Sequence, residues 1–402
     1  MALNAGTVWE VRATGNAANG GGFYNRSPGT SVDYSQQDAA QLTLTDLATD
    51  GAGTGLSSAT GGFTAAMIGN IIRISGGTLT AGWYEITGHT SGNAVTIDRT
   101  AGASKTGGTG NVGGAFAFGT TLDSDRFAAT VGGNVIWIKG GNHALGETIA
   151  VKDMSAPNNL IVEGFNTVRG DTPTGDNRPF IDCGIYYFGL GSRNIARHLR
   201  FTGTGLYVVD AGGSNNKLYN IKAVNPSLTA NRIAINIETT SVWLCEAVST
   251  LGLAFSSTTG DNQLMYCYAH DSNVGMNVDR AFGCVIDTCT TAGFQTVVAA
   301  VNNTVYNCGT GIAQGAMTAS TILNNIVTGC PVGISATAAN NNHNLDGNCW
   351  NNTTDFSNIT AGPTDLVATD PLLVDPANGD FTLGSGSPCF GAGVTLDARV
   401  GL

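Results

Sequence analysis

The sequence predicts an all-β chain that winds into a solenoid, and three observations support this. Gly accounts for 57 of 402 residues and charged residues for only 12%, against about 25% charged residues in an average soluble domain. A short pattern of Asn, an apolar residue and a Cys or other small or apolar residue recurs over residues 159–349, and all but the first step are 19–24 residues long. No sustained 3.6-residue periodicity accompanies it, and β-branched residues with Asn and Gly dominate. A repeat of this size buries its apolar face by stacking on the next coil.

Cysteine marks the repeat. Six of the nine cysteines share the frame Asn-x-apolar-x-x-Cys, at spacings of 22, 22, 19, 22 and 19 residues: Cys245, Cys267, Cys289, Cys308, Cys330 and Cys349. Weaker frames without cysteine extend back to Asn159. We predict that the cysteines form one column of buried thiols along the axis, because zinc ligands would have to converge on one point. Coil spacing would permit disulfides, which a cytoplasmic origin disfavours.

A second signature, Gly followed by an apolar strand, comes after most frames. It begins at Gly205, Gly252, Gly275, Gly293, Gly311 and Gly333. We therefore expect at least two short strands per coil, each paired in parallel with the next coil at about 4.8 Å.

The C-terminal tail reads DPLLVDPANGDF over residues 370–381, followed by Gly386-Ser387-Pro388. Strands over 372–374 and 381–383 around an Asn378-Gly379 turn would make a hairpin. Together with the Asn and Cys frames, this tail resembles the right-handed parallel β-helix proteins of the pectate-lyase-like superfamily, in particular bacterial and phage members. The hairpin is expected to cover the open end of the solenoid, where strand edges are unpaired.

Three regions follow from where the frames lie. Residues 1–118 lack the frame and are predicted to be a β-rich docking domain, with the β-helix over 119–355 and a C-terminal cap over 356–402. In the first region we predict β segments over 70–75, 83–87 and 94–98 and one short helix over 35–42. Residues 9–12 and 19–24 resemble the N-termini of bacteriophage virion proteins, which implies docking to a particle.

The net charge limits the classes of molecule that this protein is expected to bind. The net charge is −11, from 18 Lys and Arg against 29 Asp and Glu, which argues against nucleic acid and anionic membranes. The N-terminus has no basic segment leading into an apolar run, and no stretch of 18 apolar residues occurs. We expect a protein made in the host cytoplasm without a signal peptide or a membrane span.

Enzymes of the resembled superfamily act on acidic polysaccharides and other glycans. The resemblance implies either an acidic calcium site with an Arg or Lys base, or a carboxylate pair about 5–9 Å apart. Candidates in three successive predicted coils are Glu246, Asp271, Asp279, Arg280 and Asp287. Ordinary surface charge explains them equally well, so the sequence assigns no catalytic residue, metal ligand or cofactor site.

Other candidate residues have simpler interpretations. The basic cluster Arg193, Arg197, His198 and Arg200 is expected to be a solvated face rather than a site for an anionic sugar. The remaining histidines show no metal-binding spacing: His89, His143, His270 and His343. Aromatic side chains could stack on sugars or pack in the core or between protomers, and the candidates are Tyr186, Tyr187, Phe188, Tyr266 and Tyr268.

These observations favour a non-enzymatic bacteriophage virion protein: a capsid decoration protein, a head fibre or a tailspike-like appendage. Residues 1–118 would bind other virion proteins, and the resemblance implies a homo-oligomer, with a trimer favoured. The alternatives are a polysaccharide lyase or glycoside hydrolase, and an adhesin that binds host surface glycan. An enzyme requires at least two carboxylates, or a carboxylate and an Arg, within about 10 Å. An adhesin requires solvent-facing Tyr or Trp.

Overall fold

The computed structural model describes residues 3–121, 123–257, 261–315, 319–337 and 343–394. Its strands form a parallel β-solenoid of about 10 turns, which confirms the predicted fold class. The chain divides into two compact units, Met1–Asp182 with Arg193–Arg200, and Cys183–Ser192 with Phe201–Leu402. No helix among the described residues is long and apolar enough to cross a membrane.

The elements up to the middle of the chain are mostly strands. They are β1 Val8–Val11, β2 Gly22–Phe23, β3 Leu42–Thr49, β4 Gly55–Ser57, β5 Ile71–Ser75, β6 Gly82–Ser91, β7 Ala94–Ile97, β8 Gly108–Val112, α1 Asp123–Ala129, β9 Val135–Lys139, β10 Asn142–Ala144, β11 Ile149–Val151, β12 Leu160–Phe165, β13 Phe180–Asp182, β14 Phe188–Leu190 and β15 Asn194–Thr202. Short 3₁₀ turns cover Tyr34–Gln36, Ala65–Met67 and Gly175–Asn177.

The first unit contains a closed antiparallel barrel with the strand order β3-β4-β7-β6-β5-β8. The predicted β segments lie in β5, β6 and β7. The predicted helix over 35–42 is wrong: only Tyr34–Gln36 turns, with Asp33 as its cap, and β3 begins at Leu42. The carbonyl oxygens of Tyr34 and Gln37 instead accept from the backbone nitrogens of Gly114 and Ala115. They are therefore not used for hydrogen bonds within a helix.

Strand β1 belongs to the solenoid. Val8 to Val11 pair in parallel with Val135 to Ile138 of β9, and β9 pairs in parallel with β12. One solenoid strand therefore lies inside the range 1–118, because the barrel strands β3–β8 are inserted between β1 and β9. The sequence missed it because a single strand carries no repeat.

The second unit continues with short strands that repeat in sets of three. They are β16 Tyr207–Ala211, β17 Lys217–Asn225, β18 Ile233–Ile237, β19 Ser241–Trp243, β20 Glu246–Ser249, β21 Leu253–Ser256, β22 Gln263–Met265, β23 Tyr268–His270, β24 Val274–Asn277, β25 Arg280–Phe282, β26 Val285–Asp287, β27 Ala292–Gln295, β28 Ala299–Val301, β29 Thr304–Tyr306, β30 Thr310–Gln314, β31 Thr321–Leu323, β32 Ile326–Thr328, β33 Val332–Ala336, β34 Asn344–Asp346, β35 Cys349–Asn351 and β36 Thr354–Ser357.

Each strand in this unit pairs in parallel with its counterpart one coil later, as in β22–β25, β23–β26 and β24–β27. The Gly signature leads into the third strand of each coil, where Phe255, Met276 and Phe294 stack in register as core residues. The chain is a parallel β-helix.

The cysteines stack in two columns, which corrects the prediction of one. The first ladder starts with Cys245, Cys267 and Cys284 and continues with Asn303, Asn325, Asn348 and Asp365. The second ladder starts with Ser249 and Ser272 and continues with Cys289, Cys308, Cys330, Asn352 and Asp355. The ladders occupy the two turns that flank a three-residue strand, so one coil contributes both Cys284 and Cys289.

The ladder thiols are buried and free, as the thiol-packing interpretation predicted. Burial raises the pKa of Cys267 and Cys284 well above the ordinary value. Cys349 lies outside both ladders, because it pairs in register with Ile326 within the strands.

The predicted C-terminal hairpin is confirmed as β37 Leu373–Asp375 and β38 Asp380–Leu383, joined by a 3₁₀ turn over Pro376–Asn378 and Gly379 at φ 85°. The edge of β35 contacts residues upstream of the hairpin: Leu366 bridges Cys349, and its carbonyl accepts from the Trp350 nitrogen at 2.8 Å. The hairpin itself lies against the side of the coils, since the Phe381 ring is 6.4 Å from that of Tyr268 and 6.0 Å from that of Tyr306.

Candidate functional site

Three of the five predicted carboxylate and arginine candidates come together on the outside of the second unit. We call this group the outer-face cluster, and it comprises Lys222, Glu246, Tyr268, His270, Asp271 and Asp287. Strands β17, β20, β23 and β26 position it: Lys222, Glu246 and Tyr268 are neighbours in register, as are His270 and Asp287. The alternation of a three-residue strand turns its first and last side chains outward.

An imidazole joins two of the carboxylates. His270 Nε2 lies 3.1 Å from Glu246 Oε1, and His270 Nδ1 lies 2.8 Å from Asp271 Oδ2. Lys222 Nζ lies 2.6 Å from the same Glu246 oxygen. Thr288 donates its hydroxyl to Asp271 Oδ1 at 3.2 Å. The cluster is a continuous chain of alternating charges over successive coils.

The pKa shifts follow from this pairing. Burial alone would raise the pKa of Glu246, but the hydrogen bonds from His270 and Lys222 outweigh it and lower that pKa to about 2. Burial would likewise lower the pKa of His270, but its hydrogen bonds to Glu246 and Asp271 raise it. Glu246 is therefore ionised at neutral pH, and the two carboxylates stabilise the charged form of His270 relative to the neutral form.

Asp287 is the exception in the cluster. Burial raises its pKa, and the charge of Asp271 adds to the effect. Its Oδ1 atom is buried and has no hydrogen-bond partner among the described residues. It pairs in register with Tyr306 and hydrogen-bonds to Tyr268, the two rings that Phe381 contacts. The hairpin thus places an aromatic side chain against the two tyrosine rings that neighbour this carboxyl.

The other two candidates lie elsewhere. The Asp279 carboxylate accepts from Asn262 Nδ2 at 2.7 Å, and Arg280 at the start of β25 pairs with Asp261. His270 and Lys222 were not predicted from the sequence as members of this site. The signal was present, because Lys222, Glu246 and His270 are each 24 residues apart, about one coil.

Two arginines of the basic cluster in the first unit are paired with carboxylates. Arg197 Nη2 lies 2.6 Å from Glu163 Oε2, while Arg200 pairs with Asp176 and lies 5.2 Å from the Phe180 ring. Burial, together with nearby arginines, lowers the pKa of His198. Arg197 and Arg200 are thus paired with carboxylates, whereas His198 is buried, so only part of the cluster fits the predicted solvated face.

The aromatic candidates separate into covered and open rings. Phe188 is a core residue, Tyr187 packs edge-on against Tyr207, and Tyr268 stacks on His270 with centroids 4.3 Å apart. Tyr266, in contrast, is 66% exposed in a left-handed turn at φ 54°. Beside it runs an outward column, the apolar stripe, which comprises Tyr219, Trp243, Met265 and Phe282.

No group of three His, Cys, Asp or Glu side chains in the described ranges is arranged to hold a metal ion.

No family model and no curated protein matches the sequence. The structure is similar to that of pectate lyase Pel9A, at 13% identity over 71% of this chain and 88% of the other, with a TM-score of 0.43. It is similar to ORF18 of Geobacillus virus E2, at 12% identity over 59% and 58%, with a TM-score of 0.28. The catalytic domain of a GH87 α-1,3-glucanase in complex with nigerose aligns at 10% identity over 87% and 89%, with a TM-score of 0.26.

Proposed function

We propose that the chain is a non-enzymatic structural protein of a bacteriophage particle that presents its β-helix at the particle surface. The sequence of residues 370–381 and the N-terminal segment support a phage setting by their resemblance to phage proteins. The observation that carries the non-enzymatic role is that four charged groups of the outer-face cluster pair with one another: Lys222, Glu246, His270 and Asp271. Residues 1–118 would dock to other virion proteins, and the protein would act as a homo-oligomer, with a trimer favoured.

The pairing and burial of the side chains in the outer-face cluster explain why we propose a structural role rather than an enzyme. A general acid must come within hydrogen-bond reach of the substrate atom that it protonates. Asp287 has the raised pKa of an acid, but its Oδ1 is buried and Phe381 packs over the rings around it. Glu246, with a pKa of about 2, is a poor proton acceptor at neutral pH. Such pairing joins neighbouring coils rather than leaving the paired side chains free to contact a substrate.

The test is to locate the protein on purified particles by immunogold electron microscopy, with an antibody raised against the purified chain. We expect gold at regular positions on the particle, with pre-immune serum as the control. Particles without label, together with a soluble protein that cleaves capsular polysaccharide, would overturn the proposal. In that case the variants E246Q and D287N would abolish the release of new sugar ends.

A second candidate function, glycan binding without turnover, is favoured by the apolar stripe. Tyr266 and Trp243 offer ring surface on the outside of adjacent coils, and aromatic faces are suited to stacking. Titration with capsular polysaccharide should then change the tryptophan fluorescence, and Y266A should weaken binding. The matched control is Y187A, whose ring is packed against Tyr207. Equal binding by both variants would rule out Tyr266, the exposed ring beside the stripe, as a contact with the glycan.

A further inference from the structure

Two cysteines outside the ladders lie together near the end of the β-helix. Cys349 in β35 and Cys389 in the tail line one cavity of about 240 Å³ together with Ile326, Leu366 and Leu383. The Cys349 thiol donates to the carbonyl oxygen of Thr369 at 3.3 Å and interacts with the Cys389 thiol, although 40 residues separate the two cysteines in sequence. The cavity is formed where the tail crosses the outside of the last coils.

Cys389 differs chemically from the ladder cysteines. It is only partly buried, whereas the other eight cysteines are buried. The hydrogen bond from Cys349 outweighs burial and, with Ser387, lowers the pKa of Cys389 to about 7. The thiolate is the nucleophile in disulfide chemistry. Cys389 is therefore the cysteine of this chain best prepared to react, and its natural partner lies beside it.

We propose that Cys349 and Cys389 are a disulfide-forming site that small-molecule disulfides such as oxidised glutathione convert to an intramolecular bond. The bond would fasten the tail, including the hairpin that packs on Tyr268 and Tyr306, to strand β35. This proposal is independent of the proposed function, since it concerns only two thiols and their cavity.

The reaction balances in two exchange steps. The Cys389 thiolate attacks one sulfur of oxidised glutathione, the glutathione S–S bond breaks, and one glutathione thiolate leaves. The Cys349 thiol then loses its proton to solvent and attacks the Cys389 sulfur, which releases the second glutathione. Two protein thiols are oxidised and one glutathione disulfide is reduced to two thiols. The burial of the ladder thiols excludes them from the first step.

The experiment treats the full chain with oxidised glutathione under native conditions, blocks the remaining thiols and digests with an endoproteinase that cleaves before Asp. Cleavage before Asp346, Asp355, Asp380 and Asp397 places each cysteine in its own peptide, 346–354 and 380–396. We expect these peptides to be joined by a bond that a reductant removes, and the tail to resist chymotrypsin severalfold longer in the oxidised protein.

Variants make the outcome decisive. C389S should leave the protein unreactive, and C349S should stop at a glutathione adduct on Cys389. Both should melt as the reduced wild type does, which a circular dichroism melt checks. A wild-type protein that accumulates the Cys389 adduct without the joined peptides, or that joins Cys389 to a ladder cysteine, would overturn the proposal. So would complete resistance of Cys389 to the oxidant.

Discussion

The side-chain amide of Asn303 donates to Oδ1 of Asn325 at 2.9 Å, and the backbone nitrogen of Asn303 donates to the same oxygen at 3.0 Å. Asn325 in turn donates to Asn348 Oδ1 and to the carbonyl oxygens of Ala300 and Leu323. All these contacts are buried, so the first ladder ties consecutive coils through hydrogen bonds that water does not replace.

Replacing Asn325 with Ala should therefore be costly. The N325A variant leaves several buried polar groups without partners, and we expect the free energy of unfolding to fall by about 3 kcal/mol or more. Urea denaturation followed by circular dichroism measures it. The control is N344A, an exposed position in β34, which should change stability by less than about 0.5 kcal/mol. Equal losses in the two variants would contradict a ladder role for Asn325.

The two-ladder register can be tested by double-mutant cycles on cysteines. Cys267 and Cys284 are neighbours in the first ladder, whereas Cys289 lies in the second. Ala substitutions at Cys267 and Cys284 should show a coupling free energy above about 0.5 kcal/mol, while the pair Cys267 and Cys289 should be additive within about 0.5 kcal/mol. A coupling free energy between Cys267 and Cys289, with additive effects for Cys267 and Cys284, would instead support the single column predicted from the sequence.

A column of glycines limits which substitutions the third strand of each coil tolerates. A Cβ on Gly293 would lie 2.7 Å from the Gly311 carbonyl oxygen and 2.6 Å from Val305 Cγ1. We expect G293A to lower the free energy of unfolding by about 1–3 kcal/mol, since a packed core does not absorb the added methyl group. G51A, where a Cβ would meet no atom within 4 Å, is the control and should be near neutral. A thermal melt of each variant gives the comparison.

The outer-face cluster should make stability depend on pH. The pKa of His270 is raised on folding, so its contribution is full below its ordinary pKa of 6.5 and is lost as the pH rises through the raised value. The pKa of Glu246 is lowered to about 2, so its contribution is full above its ordinary 4.5 and is lost as the pH falls towards 2. Both contributions are complete only between 4.5 and 6.5.

The variant H270Q should accordingly lose more stability at about pH 5.5 than at about pH 9, measured by denaturant unfolding at each pH. H89Q serves as the control, because the His89 ring nitrogen contacts the carbonyl oxygen of Phe63 at 3.3 Å. A larger dependence on pH in H270Q than in H89Q is the result that supports the ion pairs. A loss for H270Q that is constant across this range would show that the imidazolium contributes no ion-pair stability.

The sequence predicted the fold well because the repeat survives in it, but it did not predict the register. The pattern Asn-x-apolar-x-x-Cys occurs at two different strand positions of the coil: around Leu264 on β22, and around Val305 on β29, which is the counterpart of β23. The step of 22 from Cys267 to Cys289 is therefore 17 to Cys284 plus 5 across one strand. Coil length varies with the loops, so spacing alone does not separate the two turns; the ladder hydrogen bonds do.

The same uncertainty in register explains which candidate site residues were predicted correctly. Glu246, Asp271 and Asp287 were grouped correctly because a one-coil spacing was nearly right, whereas Asp279 and Arg280 belong to a different turn and strand of their coil. The position of Phe381 over Tyr268 and Tyr306 had no local signal, since the hairpin pattern predicts its turn but not the surface on which it packs.

Both ladders end on an aspartate. Asp365 Oδ1 accepts from the backbone and side-chain nitrogens of Asn348, and Asp355 Oδ1 accepts in the same way from Asn352. An asparagine passes the interaction on, because its amide accepts on one side and donates on the other, whereas an ionised carboxylate only accepts. Each aspartate therefore ends its ladder and gives the stack a direction. Its side chain offers no donor to a coil of another molecule, so the ladder does not extend from one molecule to the next as it would in a fibre.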